Sequence, residues 1–350
     1  MSDSEITQLV RPLVREMAPY RSARDEFEDF EAQKIFLDAN ENPYDSDVNR
    51  YPDPLQRRLK KVLAKLKGVA DNQILLGNGS DEVLDLIFRT FCEPGEDEVI
   101  LLPPTYGMYG VLAQLNNVRT HSVPLNEDFE LELEAISAQI NEKTKVIFVC
   151  SPNNPSGNAI PLWQIEALLK RFKGLVVVDE AYVDFSEQNS ASSLLKIYPK
   201  LMICQTLSKA YGLAGIRLGI GFADPEIIYF FNKIKPPYNV NILTQKRALA
   251  SLDASSDVVE LQVKELIAER QNMEKALSNF SFVKKIFPSN ANFLLIRVDD
   301  ADKRYKQLIE NDIVVRNRSS LIGCENSLRV TIGTPQENIK FMNVCKSIDQ

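Results

Sequence analysis

The sequence has a single histidine, His121, and only five cysteines among its 350 residues. The cysteines stand far apart and form no CxxC pair, so a zinc site would have almost no ligands, and we predict no metal. Three of the cysteines lie inside apolar runs. This is typical of small buried side chains in a reducing compartment. We interpret His121 and the one tryptophan, Trp163, as structural residues.

Long apolar runs and an excess of basic residues are also missing. No apolar run approaches the roughly 20 residues that a membrane-spanning helix needs. The first residues, MSDSEITQLVRPLVREM, include early acidic residues and no continuous apolar core, unlike a secretory signal. The net charge of −7 argues against a nucleic-acid-binding face but allows a small anion held by a few arginines. We therefore expect a cytoplasmic protein with no nucleic-acid partner and no membrane partner.

Short apolar runs alternate with helical patterns between residues 70 and 225. Strands that are apolar throughout predict a mainly parallel sheet, covered by helices on both faces in an α/β fold. The runs are ILLGNG (74–79), EVILLPP (98–104), KVIFVCSP (145–152), LVVVDEAY (175–182), LMICQTLS (201–208) and IRLGIGFA (216–223).

The pattern changes near residue 258, where a long charged helix leads into NFLLIRV, IVVRNRS, LRVTIGT and a final helix. This order of elements predicts a smaller α+β domain. We expect an N-terminal arm with part of the small domain over 1–45, a large domain over 46–250, and a small domain over 251–350. The first residues, about 35 in number, are expected to pack on the small domain or on a partner chain.

Polar clusters directly follow the apolar runs, at the sheet edge where ligands of such folds bind. Lys209 lies there between glycine-containing turns. An isolated lysine is usually solvated, but an amine in such a pocket can lose its proton and form a Schiff base. Asp179 ends the most apolar strand, and burying its carboxylate requires a cationic partner. That partner is either an arginine or the ring nitrogen of a cofactor that accepts electrons.

Donors suited to a phosphate surround the same edge. GNGSDE (77–82) precedes an amphipathic helix, and its backbone amides could bind an anion, although Ser80 is equally an ordinary helix cap. Ser208 and Arg217 flank Lys209 with two further donors. Turn formation alone could explain SPNNPSGN (151–158).

Three side chains in these clusters suit an aromatic cofactor. Asn154 and Tyr182 could hydrogen-bond a phenolate-like oxygen, and Tyr106 offers a flat ring for stacking.

The motifs GNGSDE, NNPSG, DEAY and SKAYGLAGIRLG, in this order, resemble the fold-type-I pyridoxal-phosphate aminotransferases. The segments LDANENPY, RYPDP, the VVR of IVVRNRS, and LRVTIGTPQEN resemble the histidinol-phosphate aminotransferase family within that class. The resemblance covers nearly the whole chain, with Ser156 standing where threonine is commoner. It implies a seven-stranded-type sheet between helices, an aminotransferase of histidine biosynthesis, and a homodimer with shared active sites.

The resemblance also implies roles for individual residues. Lys209 would hold pyridoxal phosphate through an imine and move the reacting proton. The implied ring contacts are Asp179 at the ring nitrogen, Asn154 and Tyr182 at the phenolic oxygen, and Tyr106 against the ring face. The implied phosphate contacts are Gly79, Ser80, Asp81, Ser208 and Arg217, with Tyr51 reaching the phosphate of the neighbouring subunit.

Substrate contacts are implied by the same resemblance. Arg329 would bind a substrate carboxylate, and Arg316 the distal phosphate of histidinol phosphate. The implied supporting contacts are Tyr20, Tyr238 and Asn154. Without the resemblance, Arg316 and Arg318 would be interpreted as a solvated strand edge.

The implied reaction is a ping-pong transamination between glutamate and imidazole-acetol phosphate, which yields 2-oxoglutarate and histidinol phosphate. The partners are therefore small-molecule amino donors and keto acceptors. The alternatives are an aromatic or broad-specificity aminotransferase and a decarboxylase of an amino-acid phosphate. A non-catalytic phosphate-binding regulator is a third alternative.

Overall fold

The computed structural model describes residues 4–20, 22–26, 34–254 and 256–349. The α-helices of these residues are α1 (Glu5–Leu9), α2 (Pro12–Glu16), α3 (Arg57–Lys67), α4 (Gly79–Phe91), α5 (Met108–Leu115), α6 (Leu133–Gln139), α7 (Leu162–Arg171), α8 (Pro225–Ile234), α9 (Ile242–Ala254), α10 (Ser256–Leu277), α11 (Ala301–Glu310) and α12 (Pro335–Ile348). The strands are β1 (Ile74–Asn78), β2 (Glu98–Leu101), β3 (Arg119–Ser122), β4 (Thr144–Cys150), β5 (Leu175–Asp179), β6 (Leu201–Thr206), β7 (Leu218–Phe222), β8 (Val283–Ile286), β9 (Phe293–Val298), β10 (Arg316–Asn317) and β11 (Ser327–Thr331).

A seven-stranded sheet forms the centre of the larger part of the chain, in the order β1-β7-β6-β5-β4-β2-β3. Strand β7 runs antiparallel to its two neighbours, β1 and β6, and the other pairs are parallel. Apolar side chains from alternate strand positions pack into two separate clusters, one on each face of the sheet. The predicted α/β fold, with a mainly parallel sheet between helices, is confirmed.

The reversed direction of β7 gathers several chain segments at one edge of the sheet. Asn78 at the end of β1 pairs with Leu218, and Thr206 at the end of β6 pairs with Gly219. A Cβ atom on Gly219 would lie 2.2 Å from the Ser80 backbone nitrogen. A glycine at position 219 therefore allows the first turn of α4 to rest directly on β7, beside the 207–217 turn.

A second, four-stranded sheet has the order β10-β11-β9-β8, and its neighbouring strands are all antiparallel. One face carries Leu294, Ile296, Leu328 and Val330 into an apolar cluster with residues of α10, α11 and α12. The predicted strand IVVRNRS is only two residues long as β10, and β8 was not predicted. Arg329 stands between Leu328 and Val330 in β11, so its side chain lies on the face opposite this core.

The N-terminal helices pack on the larger part of the chain. Ile6, Val10 and Val14 are buried in the core cluster that contains α8, and the Ser4 hydroxyl donates a hydrogen bond of 2.6 Å to Glu226. These helices therefore contact α8 rather than the small domain, and the alternative expectation, packing on a partner chain, stays a prediction. The spacing of four residues predicts one apolar face. It gives no information about the surface that this face covers.

The structure bears on two expectations from the sequence, namely that the chain has no membrane-spanning helix and that its cysteines are buried. Across the ranges that the structure describes, no helix has the length and apolarity needed to cross a membrane. All five cysteines are free and buried.

Candidate active site

A cavity at the carboxyl edge of the larger sheet brings together side chains that are far apart in the sequence. Residues from the ends of β4, β5 and β6 and from the start of α4 line it, together with the turn that precedes β7. The lining residues are Ser80, Asp81, Tyr106, Cys150, Asn154, Asp179, Ala181, Tyr182, Thr206, Ser208, Lys209, Ala214 and Arg217. The structure therefore places nine of the predicted cofactor residues around one space, and Gly79 adjoins it.

Asp179 forms the acidic end of this cavity and is only 3% exposed. The Tyr109 hydroxyl donates a 2.7 Å hydrogen bond to Oδ2, and the Ala181 amide donates one of 3.1 Å to Oδ1. Burial raises the pKa of Asp179 to about 6, although these two hydrogen bonds act in the opposite direction. Among the described residues, no cationic side chain forms an ion pair with this carboxylate.

Lys209 is the amine of the cavity. Its Nζ lies 5.6 Å from the centre of the Tyr182 ring. Burial lowers the pKa of Lys209, and Arg329 and Arg217 lower it further, while Asp179 opposes them. This environment favours the neutral amine, which is the form that attacks a carbonyl carbon.

The opposite end of the cavity suits an anion. Gly79, the first residue of α4, has φ +72°, and a Cβ there would lie 2.6 Å from the Arg217 guanidinium. The Gly79 amide donates a 2.8 Å hydrogen bond to the Arg217 carbonyl. Arg217 Nη2 lies 3.6 Å from Asp81, so the guanidinium stands over the first turn of the helix. A helix N-terminus with an adjacent guanidinium and the Ser208 hydroxyl is a typical phosphate site.

Asn154 joins the cavity to the smaller sheet. Its Nδ2 donates a 3.4 Å hydrogen bond to the Tyr182 hydroxyl, and its Oδ1 accepts one from Nη1 of Arg329. Arg316 stands directly opposite Arg329 in the strand pairing. The structure therefore brings both predicted substrate arginines to the cavity's side of the smaller sheet.

Tyr109 is a site residue that was not predicted. Its ring is fully buried and lies edge-on to Tyr106, with centroids 5.6 Å apart. The two tyrosines in TYGMY are three residues apart, about one helical turn, so both can face the same site. That spacing was the available signal. However, a buried tyrosine in a helix is usually a core residue.

Three predicted contacts, Tyr20, Tyr51 and Tyr238, neither line the cavity nor are placed beside it by the contacts described above. Tyr51 and Tyr238 stack on each other, with ring centroids 4.4 Å apart, and border a separate groove. Tyr20 is 73% exposed in the segment after α2. Within one chain these residues make no part of the cavity, so the role predicted for Tyr51 in a neighbouring subunit and the substrate contacts predicted for Tyr20 and Tyr238 stay predictions.

The fold and the cavity are those of an enzyme that works on amino groups, and comparison with known proteins gives the class. The family model for aminotransferase class I and II matches residues 26–346. The chain belongs to this family, which confirms the predicted family and the predicted enzyme class. A histidinol-phosphate aminotransferase from Christiangramia forsetii is 56% identical over 349 residues, which cover 100% of this chain and 99% of the relative.

Solved structures agree with this assignment. The histidinol-phosphate aminotransferase from Clostridium acetobutylicum superposes with a TM-score of 0.80 at 27% identity. That match covers 87% of this chain and 91% of the other. The same enzyme from Sinorhizobium meliloti, in complex with pyridoxal-5'-phosphate, gives a TM-score of 0.79 at 23% identity. It covers 86% of this chain and 84% of that chain, and this likeness bears on the fold alone.

The residues present fit pyridoxal phosphate on three independent grounds. Asp179 is a buried acid without an ion-pair partner among the described residues, so a protonated ring nitrogen would supply the missing positive charge. Lys209 is an amine whose pKa is lowered inside the same cavity. The α4 N-terminus, Ser208 and Arg217 supply donors for a phosphate at the other end.

Proposed function

We propose that the chain is a pyridoxal-phosphate-dependent enzyme that transfers the amino group between glutamate and histidinol phosphate, with 2-oxoglutarate and imidazole-acetol phosphate as the keto partners. The observation that carries this proposal is the pairing of Arg316 with Arg329 beside the cavity that holds Lys209. One guanidinium suits a carboxylate, and the second supplies the extra charge that a phosphate needs. The full-length relative at 56% identity, itself a histidinol-phosphate aminotransferase, supports the same substrate.

Pyridoxal phosphate, when bound, supplies an electron sink for the negative charge that develops on the substrate's α-carbon. The chain's own residues orient the bound groups and move the reacting proton. The Lys209 amine removes the α-proton and returns it, and its lowered pKa favours the neutral amine that this proton transfer requires. With the cofactor bound, Asp179 would hold the positive charge of the ring nitrogen at the buried end of the cavity. Tyr109 and the Ala181 amide fix the orientation of its carboxylate.

Arg329 and Asn154 form the contact that orients the substrate. Asn154 accepts a hydrogen bond from Arg329 and donates one to Tyr182, so the three side chains hold each other in place. A guanidinium fixed in this way presents its remaining N–H groups as a fork for a carboxylate. Glutamate would therefore enter with its carboxylate toward the smaller sheet.

The proposal includes a homodimer with shared sites. Tyr51 is 49% exposed and its ring is stacked on Tyr238, so both present one apolar surface outside their own cavity. The same groove is bordered by Leu243, which is 63% exposed. Exposed apolar groups gathered in this way are typical of a protein interface. A second copy would cover this surface and bring Tyr51 to the neighbouring phosphate.

A panel of amino donors with 2-oxoglutarate as the acceptor tests the proposal. Histidinol phosphate should have a kcat/KM well above that of histidinol or phenylalanine, since those donors leave the arginines without an anion. Equal values for histidinol phosphate and phenylalanine would indicate a broad-specificity aminotransferase. Release of carbon dioxide from an amino-acid phosphate, without formation of glutamate, would indicate a decarboxylase.

A further inference from the structure

Three arginines lie together on the cavity side of the smaller sheet, and we name Arg316, Arg318 and Arg329 the arginine cluster. Arg316 pairs with Arg329 across β10 and β11, and the Arg318 amide donates a 2.8 Å hydrogen bond to the Ser327 carbonyl, which continues the pairing. Residues two apart in a strand face the same side. The three side chains therefore share the face from which Arg329 reaches Asn154.

The arginine cluster has no negative partner in the part of the chain that the structure describes, since no carboxylate there lies within ion-pair distance of any of the three guanidinium groups. Other arginines of the same small sheet region do have one: Arg297 lies 3.6 Å from Glu325, and Arg304 lies 2.7 Å from Asp299. Burial lowers the pKa of Arg318, and Arg329 and Arg316 lower it further, as expected for neighbouring like charges.

Several donors of this region are buried without a hydrogen-bond partner among residues 4–20, 22–26, 34–254 and 256–349. They are Nε of Arg318, Nε of Arg329 and the hydroxyl of Ser319. Nε of Arg297, in the neighbouring strand β9, also lacks a partner, but the Arg297 guanidinium is already paired with Glu325. Leaving a buried charged donor unsatisfied is costly, so native chains rarely keep several of them together. A ligand with several acceptor oxygens and more than one negative charge would satisfy all three groups at once.

We infer that Arg318, with the adjacent Ser319 hydroxyl, is a specificity-determining contact for the phosphate of the amino substrate. The inference rests on the proposed function and adds to the single phosphate arginine, Arg316, that the sequence indicated. A carboxylate needs only the fork of Arg329. A phosphate dianion has three terminal oxygens, which suit two further guanidinium groups and a hydroxyl. Arg318 therefore separates phosphate-bearing substrates from glutamate.

The test uses the holoenzyme and the variants Arg318→Gln, Arg318→Lys and Ser319→Ala. The matched control is Arg297→Gln, which removes a guanidinium of the same sheet that already has an acidic partner. KM and kcat are measured for histidinol phosphate and, separately, for glutamate. Inorganic phosphate serves as a second probe, through its inhibition constant against the glutamate half-reaction. Melting temperature and bound-cofactor absorbance show that each variant is folded and loaded.

Arg318→Gln should raise the KM for histidinol phosphate by roughly 10- to 100-fold, the value of a charge-assisted contact, and much less for glutamate. The KM for histidinol phosphate should rise less in Arg318→Lys than in Arg318→Gln, and the rise in Ser319→Ala should also be smaller. Phosphate inhibition should weaken in parallel in Arg318→Gln. The control should stay within about twofold of wild type in every measurement, because an exposed ion pair contributes little.

A KM for histidinol phosphate that is unchanged in Arg318→Gln overturns the inference. A shift of the monomer–dimer equilibrium without a substrate effect also overturns it, and assigns Arg318 to an interface. If wild type fails to use histidinol phosphate, the proposed function fails instead. In that case the phosphate inhibition constants of Arg318→Gln and wild type still decide whether Arg318 binds the anion.

Discussion

Replacing Asp179 by asparagine should change how the stability of the cofactor-free protein depends on pH. In the folded chain burial raises the pKa of Asp179 from 3.8 to about 6, whereas in the unfolded chain the carboxyl group titrates near its ordinary value. The folded state therefore binds this proton more tightly than the unfolded state. A raised carboxyl pKa gives stability at low pH that is lost as pH rises through the folded value.

The size of the effect is set by the two pKa values. At about 1.36 kcal/mol for each pH unit between them, the loss is about 3 kcal/mol in total. It develops between about pH 4 and pH 6 and is complete by pH 7. Asparagine keeps an acceptor for the Tyr109 hydroxyl but carries no titrating proton. The variant should therefore be more stable than wild type at pH 7 and lose this advantage at pH 4.

Urea denaturation of both proteins from pH 4 to pH 7.5, after removal of the cofactor, measures the free energy of unfolding. The difference between variant and wild type isolates Asp179, because the other carboxyl groups titrate alike in both. A constant difference across this range would show that Asp179 is not buried as a high-pKa acid. With the cofactor bound, the same substitution should abolish most turnover, since the buried end then lacks its negative charge.

Three further changes test the rest of the site. Lys209→Ala should retain no covalently attached cofactor after borohydride reduction, and a yellow protein with a label elsewhere would disprove the anchor. Tyr109→Phe removes a hydrogen-bond donor to the Asp179 carboxylate. The pKa of Asp179 should therefore rise, and kcat should fall about tenfold at neutral pH. An unchanged pH profile of kcat would leave Tyr109 a packing residue. Gly219→Ala should cost about 3 kcal/mol or more, because its Cβ would lie 2.2 Å from the α4 backbone. The matched Gly215→Ala, whose Cβ meets nothing within 4 Å, should leave the melting temperature near wild type.

The sequence predicted the larger sheet well because its central strands are buried on both faces. LVVVD and LMICQT each begin with four consecutive apolar residues, a pattern that is typical of a strand buried on both faces. The edge strand β3 (Arg119–Ser122) has exposed or half-exposed side chains and therefore no such signal. The same holds for β8, whose two lysines face solvent in an edge position. The docking of α1 and α2 on α8 depends on tertiary packing, which an apolar spacing alone does not specify.

The cofactor end of the site was predictable for a different reason. Its residues stand just after strand ends, and parallel strands bring those ends to one edge. Tyr109 was missed because it acts from inside a helix, where its chemistry is hidden by an ordinary core pattern. Arg318 was interpreted as a solvated strand edge. Only the pairing of β10 with β11 shows that it shares a face with Arg329.

The cavity and the face of the smaller sheet beside it carry opposite charges that have no ion-pair partner in the described part of the chain. Asp179 is a buried acid with no ion-pair partner there, while the arginine cluster is a group of cations with no anion. Each arrangement lowers the stability of the empty chain. No ion pair joins the two groups among the described residues, so neither neutralises the other directly. A protonated ring nitrogen beside Asp179 and an anionic substrate beside the arginine cluster would satisfy both. Ligand binding should therefore raise the stability of the folded chain mainly by pairing the Asp179 carboxylate and the arginine cluster.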